Sequence, residues 1–144
     1  MQALLLPVRG EWYAVPLAWV REVVAAPPVA LLATAAPRVL GLFNLRGQIV
    51  PLFDTAALLG VGTVQTFTYA AVMQTPDGLA GLATTAMPER VMLGRSTRPS
   101  ELAGTNGTYQ LDRRVVVLLD LAVLLTPERL GDRDRDRVIT AGRT

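Results

Sequence analysis

No cysteine and no histidine occur in these 144 residues. Their absence excludes disulfides, zinc sites of the Cys/His type, and any Ser-His-Asp or Cys-His nucleophile pair. Lysine is missing too, so the 14 basic residues are all arginine. Without it, no glycine-rich run continues into the Lys-Ser/Thr of a phosphate-binding loop. The carboxylates are dispersed, with no spacing suited to an oxygen-ligand metal site, so neither a metal nor a cofactor is expected. Lack of Cys fits a reducing compartment. The start of the chain carries no basic n-region, and its apolar run Ala3 to Pro7 is too short for a secretion signal. The longest uncharged stretch, Thr55 to Pro76, is interrupted by two Gly, two Gln and several Thr. These features predict a cytoplasmic protein with no segment inserted in a membrane.

What is present is apolar bulk. Hydrophobic residues make up 51% and charged residues 18%, enough for a sizeable core in one domain or two small subdomains. The formal net charge is +2. With no His the titration curve is flat near neutrality, so a slight Arg excess carries the pI to 9.7. Those arginines are scattered rather than gathered on one face, which argues against nucleic acid as a partner. The densest group, Asp132 to Arg137, alternates in sign and reads as part of a solvated, flexible tail over 131–144.

Short apolar runs separated by turn chemistry predict an all-β barrel or sandwich. Leu4, Leu6 and Val8 open the chain as a strand, Arg9-Gly10-Glu11 turns it, and Trp12 to Pro16 returns. Val20, Val23 and Val24 favour a third strand that ends at Pro27-Pro28. After a loop containing Pro37 comes Gly41 to Asp54, two apolar runs around an Asn/Gly turn. Pro51 in the second run predicts an edge strand or a bulge. Thr75-Pro76-Asp77-Gly78 has the composition of a type I turn. A last hairpin is expected around Asp112-Arg113.

A loose repeat keeps its order through both halves. Gly10-Glu11-Trp12-Tyr13 compares with Gly78-Leu79-Ala80-Gly81, and Arg21-Glu22-Val23-Val24 with Glu89-Arg90-Val91-Met92. Val50 to Asp54 compares with Val116 to Asp120, and Leu58-Leu59 with Leu124-Leu125. The expectation is two similar small barrels, roughly 10–60 and 67–126, within a domain spanning 1–130, the first strand joining either. The turn Asn44-Leu45-Arg46-Gly47 has no arginine-bearing counterpart in this comparison, whose matching loop lies around Asn106-Gly107.

The runs Trp12-Tyr13-Ala14-Val15-Pro16, Val20-Arg21-Glu22-Val23, Gly41 to Asp54 and Leu118-Leu119-Asp120-Leu121 together resemble the CheW-like family, adaptors of bacterial chemosensory arrays. The resemblance covers roughly Leu4 to Leu125, and its most specific part is the N-L-R-G turn followed by an apolar run, Pro and Asp. It implies two SH3-like five-stranded barrels with short helical turns, no catalysis, and no cofactor. The implied partners are the cytoplasmic tip of a methyl-accepting chemoreceptor and a CheA-type histidine kinase. The kinase's regulatory domain has the same fold and alternates with the adaptor in rings beneath membrane-bound receptors. Family members usually carry Val-Asp at the place of Ala83-Thr84, and here the Asp is absent. An SH3-like barrel acting as a small nucleic-acid-binding module is the alternative.

Arg46 is the leading candidate. Its planar fork suits a carboxylate across an interface, or backbone carbonyls within its own barrel. Val20 and Glu22, two residues apart, are expected on one strand face. The resemblance assigns Val20, Glu22 and Arg46 to receptor or kinase contact. Asn44 and Gly47 are expected to shape the turn, Gly47 by taking a positive φ. Asp54 and Asp120 are expected to cap the short helical turns that follow them, with no catalytic role. Trp12 and Trp19 are expected to pack in or between the barrels. Apolar edges such as Ile49 to Phe53 are expected to meet the kinase's regulatory domain.

Overall fold

The computed structural model describes residues 1–31 and 38–126. The loop at Pro37 and the tail over 131–144 lie outside the described residues. The strands are β1 (Gln2–Val8), β2 (Glu11–Pro16), β3 (Val20–Ala25), β4 (Val39–Leu45), β5 (Gln48–Phe53), β6 (Tyr69–Thr75), β7 (Gly78–Thr84), β8 (Glu89–Met92), β9 (Thr105–Leu111) and β10 (Arg114–Leu119). Two one-turn helices, α1 (Thr55–Leu59) and α2 (Leu121–Leu124), follow β5 and β10, and a 3₁₀ turn at Leu17–Trp19 precedes β3. The fold is all-β, as the spacing of strands and turns predicts.

The strands form two five-stranded sheets ordered β8-β1-β2-β10-β9 and β3-β6-β7-β5-β4. The two orders are the same pattern written twice, with β1–β5 matching β6–β10 element by element. The repeat is therefore present, but the division into barrels at 10–60 and 67–126 is not how the strands sort. Each barrel takes its central hairpin from one half of the chain and its other three strands from the other half. Parallel ladders make the exchange, β10 on β2 and β5 on β7.

Burial gives the physical reason. β1 is buried on both faces, and so is β6 over Ala70 to Met73. Leu4, Leu6 and Val8 join Ala71 and Met73 in a core between the two sheets, which α1 and α2 close with Leu58, Leu59, Leu121 and Leu124. Ala3 and Leu5 face the interior of the first barrel with Tyr109 and Val116. Ala70 and Val72 face that of the second with Phe43 and Leu52. A strand apolar on both faces belongs between two cores, and both hairpins lie there.

Ladder registers also correct the details of the repeat. Val8 pairs with Glu11 and Thr75 with Gly78, so Glu11 rather than Gly10 matches Gly78. Leu5 pairs with Glu89 and Val72 with Glu22, so Glu22 matches Glu89. Leu45 pairs with Gln48 and Leu111 with Arg114, so the counterpart of Arg46-Gly47 is Asp112-Arg113 and not the loop at Asn106-Gly107. The counterpart turn does carry an arginine, at the place of Gly47. Even the isolated bridges correspond, Ala30 to Leu42 and Arg98 to Thr108.

β5 is an inner strand despite Pro51, and the irregularity lies in β4, between Val39 and Gly41. Pro51 stands opposite Leu42, whose own N–H and C=O are bonded to Ala30 at 2.9 and 2.8 Å. On the other side the ladder to β7 begins only at Leu52. The missing N–H is thus at a place where neither neighbour needs it.

Candidate functional site

Arg46 and Gly47 are the two residues between β4 and β5. Their φ values, 48° and 91°, are those of a type I′ hairpin turn. Asn44 Oδ1 accepts the Gly47 N–H at 2.8 Å and fixes the turn from the side. The Arg46 guanidinium then points to Glu22 on β3. Nη1 donates to Glu22 Oε2 at 3.1 Å, and Nη2 donates to Oε1. β3 and β4 are the two ends of their sheet's strand order, so this fork joins the ends of a sheet curled into a barrel. Arg46 remains 65% exposed. The hydrogen bond from Arg46, then its charge, holds the Glu22 carboxyl below the usual carboxylate range, and Arg46 is raised by the same partner. Arg21, next to Glu22, donates to Gln74 Oε1 at 3.2 Å.

Of the three contact residues expected from sequence, Glu22 and Arg46 are brought together. Val20 is half-buried and packs on the inter-barrel core beside Leu17 and Trp19. A bulge separates it from Glu22 in the ladder to β6. The apolar surface near the ion pair comes from other residues. Ile49 is 62% exposed and lines a groove of about 560 Å³ with Pro28, Val29, Ala30, Leu42 and Asn44. The expected edge over Ile49 to Phe53 reduces to Ile49, because Val50, Leu52 and Phe53 are buried. Ile49 carried a usable signal: it follows the turn and alternates with buried Val50, which places it on the outer face.

The equivalent place on the first barrel is built differently. Arg114 lies 3.5 Å from Glu89 and 3.9 Å from Asp112, and its guanidinium carbon sits 5.0 Å from the centre of the Trp12 ring. Stacking leaves its side chain 27% exposed. Trp12 otherwise packs on the first barrel's core.

Asp54 Oδ1 accepts from Ala57 N at 3.0 Å and Oδ2 from Val64 N at 2.9 Å, so this buried carboxylate caps α1 and ties down the segment after it. Asp120 Oδ1 accepts from Val123 N at 3.3 Å at the start of α2. At the place of the absent Asp, Thr84 is fully buried and its hydroxyl donates to Ala86 O at 2.8 Å. Thr55 Oγ1 donates to Ala83 O at 2.7 Å. Among the described residues no three potential metal ligands gather, and no helix is long and apolar enough to cross a membrane.

Among curated proteins none matches the chain. A solved structure described as the scaffolding protein TtCheW from Thermoanaerobacter tengcongensis is similar, with a TM-score of 0.76, 21% identity and 87% of each chain covered. At that identity the likeness shows the fold, the two-subdomain SH3-like arrangement. The family model for the CheW-like domain matches residues 2–129, nearly the whole sequence, and the protein belongs to that family.

Proposed function

We propose that this protein is a non-enzymatic adaptor of a bacterial chemosensory system, coupling the cytoplasmic tip of a methyl-accepting receptor to a histidine kinase. Family membership supports an adaptor role, and the similar solved structure is described as a scaffolding protein. The observation that carries the reading is the Glu22–Arg46 pair, a two-pronged charge contact displayed on a rigid turn beside the apolar groove at Ile49. An ion pair this open to water adds little to folding. Its worth lies in the fork that Arg46 can offer to a partner's carboxylate, in a register that Glu22 holds. Ile49 and the groove supply apolar area to the same face. Array association in the cytoplasm and ring assembly with the kinase's same-fold regulatory domain belong to this proposal. Signal transmission then requires that each partner make different contacts in two states.

Replacing Arg46 by Glu sets two carboxylates side by side on the surface. The variant is expected to fold as the parent does and to lose about tenfold or more in affinity for the receptor tip or the kinase regulatory domain. A folded Arg46→Glu protein that binds both partners as tightly as the parent sinks the reading. Combining it with Glu22→Arg rebuilds the pair in reverse. Binding that stays lost places Arg46 in the interface, and recovered binding makes the pair a positioning device.

A further inference from the structure

A second constellation lies away from that pair, where the β1–β2 turn meets the segment after α1. Arg9 and Gly10 form this turn with φ values of 55° and 83°. Arg9 N donates to Thr85 Oγ1 at 2.9 Å, and Arg9 Nη1 reaches across to Val61 O at 3.1 Å. Gly62 permits that reach, because a Cβ there would overlap the guanidinium. The bridge walls a cavity of about 260 Å³ between Val8, Ala56 and Val61 on the apolar side and Arg9, Glu11 and Tyr13 on the polar side. This is smaller than the pockets that take drug-sized ligands.

Two observations point to an occupant. Tyr13 is 6% exposed and its hydroxyl has no hydrogen-bond partner among the described residues, so its donor and acceptor are available to whatever enters the cavity. Arg9 and Glu11, of opposite charge and two residues apart, are not paired with each other, and the Glu11 carboxylate has no ion pair among the described residues. Burial, then the Glu11 charge, raises the Tyr13 phenol, with Arg9 opposing, so the three head groups share one field. The equivalent recess at the β6–β7 turn is lined by Trp19, Thr75, Pro76 and Asp77, with no cation among the described residues that line it.

We infer that the Arg9–Glu11–Tyr13 cavity is a binding site for a small zwitterion of the free α-amino-acid class. The carboxylate would meet the free N–H groups of Arg9 and the Tyr13 hydroxyl, the ammonium would meet Glu11, and a short aliphatic side chain would lie against Val8, Ala56 and Val61. The separated rim charges select this class, since a simple anion would leave Glu11 opposed and a simple cation would leave Arg9 opposed.

Titration of the full chain with L-leucine, followed by amide chemical shifts, tests it. Saturable shifts confined to residues 8–13 and 56–62 are expected, with affinity in the millimolar range. The single-charge analogues 4-methylpentanoate and 3-methylbutylamine should bind about tenfold more weakly. Glu11→Gln should erase the preference for leucine over 4-methylpentanoate, and Tyr13→Phe, a substitution that keeps the packing, should weaken leucine severalfold. No saturable shift, shifts centred elsewhere, or equal binding of all three probes overturns the inference.

Discussion

At Arg46 the backbone and the side chain answer to different demands. The positive φ is a property of the two-residue hairpin, since Arg9 and Asp112 show it at the matching place in their own turns. What sets Arg46 apart is where its fork lands. The Glu22 carboxyl is held low by that fork, so the pair contributes fully above the ordinary carboxylate range and is lost as pH falls through the lowered value. A titration of the Glu22 carboxyl should therefore show a midpoint below the ordinary value, moving up in Arg46→Gln. An unchanged midpoint in that variant would show that the two groups do not meet in solution. Local sequence revealed the turn, because Asn44 and Gly47 act within four residues. It could not reveal the partner, because Glu22 meets Arg46 only when β3 and β4 close a barrel across three intervening strands.

Elements that depend on neighbouring residues were the most legible. An Asp before Thr-Ala-Ala-Leu-Leu and another before Leu-Ala-Val-Leu read as caps, and both carboxylates accept the expected N–H. The two caps differ in weight. Asp54 is buried and uses both oxygens, whereas Asp120 makes one longer bond and is partly exposed. Asp54→Ala should cost about 2–3 kcal/mol, since Val64 N is left buried without its acceptor. Asp120→Ala should cost about 0.5–1 kcal/mol. Denaturant unfolding of both variants checks the ranking, and equal losses would contradict it. Pro51 was legible as an irregularity but not in its location. A proline needs only that no N–H be required at its own position, and the ladder offset that meets this need is set by β7 and by Ala30, both far away in sequence.

For the molecule as a whole, the repeat could be read and the exchange of hairpins could not. Either pairing of hairpins with barrels satisfies the same local patterns. The available signal was that β1 is apolar at consecutive positions, as a strand between two cores must be. Because each barrel borrows its hairpin, neither half of the chain contains a complete sheet. Fragments 1–65 and 66–144, made separately, should each give the collapsed amide spectrum of an unfolded chain, and mixed in equal amounts they should recover dispersion. A dispersed spectrum from either fragment alone would show that the halves are self-sufficient. The internal symmetry stops short at one pair of equivalent carboxylates. Glu22 faces a guanidinium mostly open to solvent, while Glu89 faces one stacked on Trp12. A visitor bringing a carboxylate could trade places with Glu22 by opening that exposed fork alone, but at Glu89 it would also have to lift an arginine off an indole. The doubled fold thus presents one labile end and one latched end, and so has a direction.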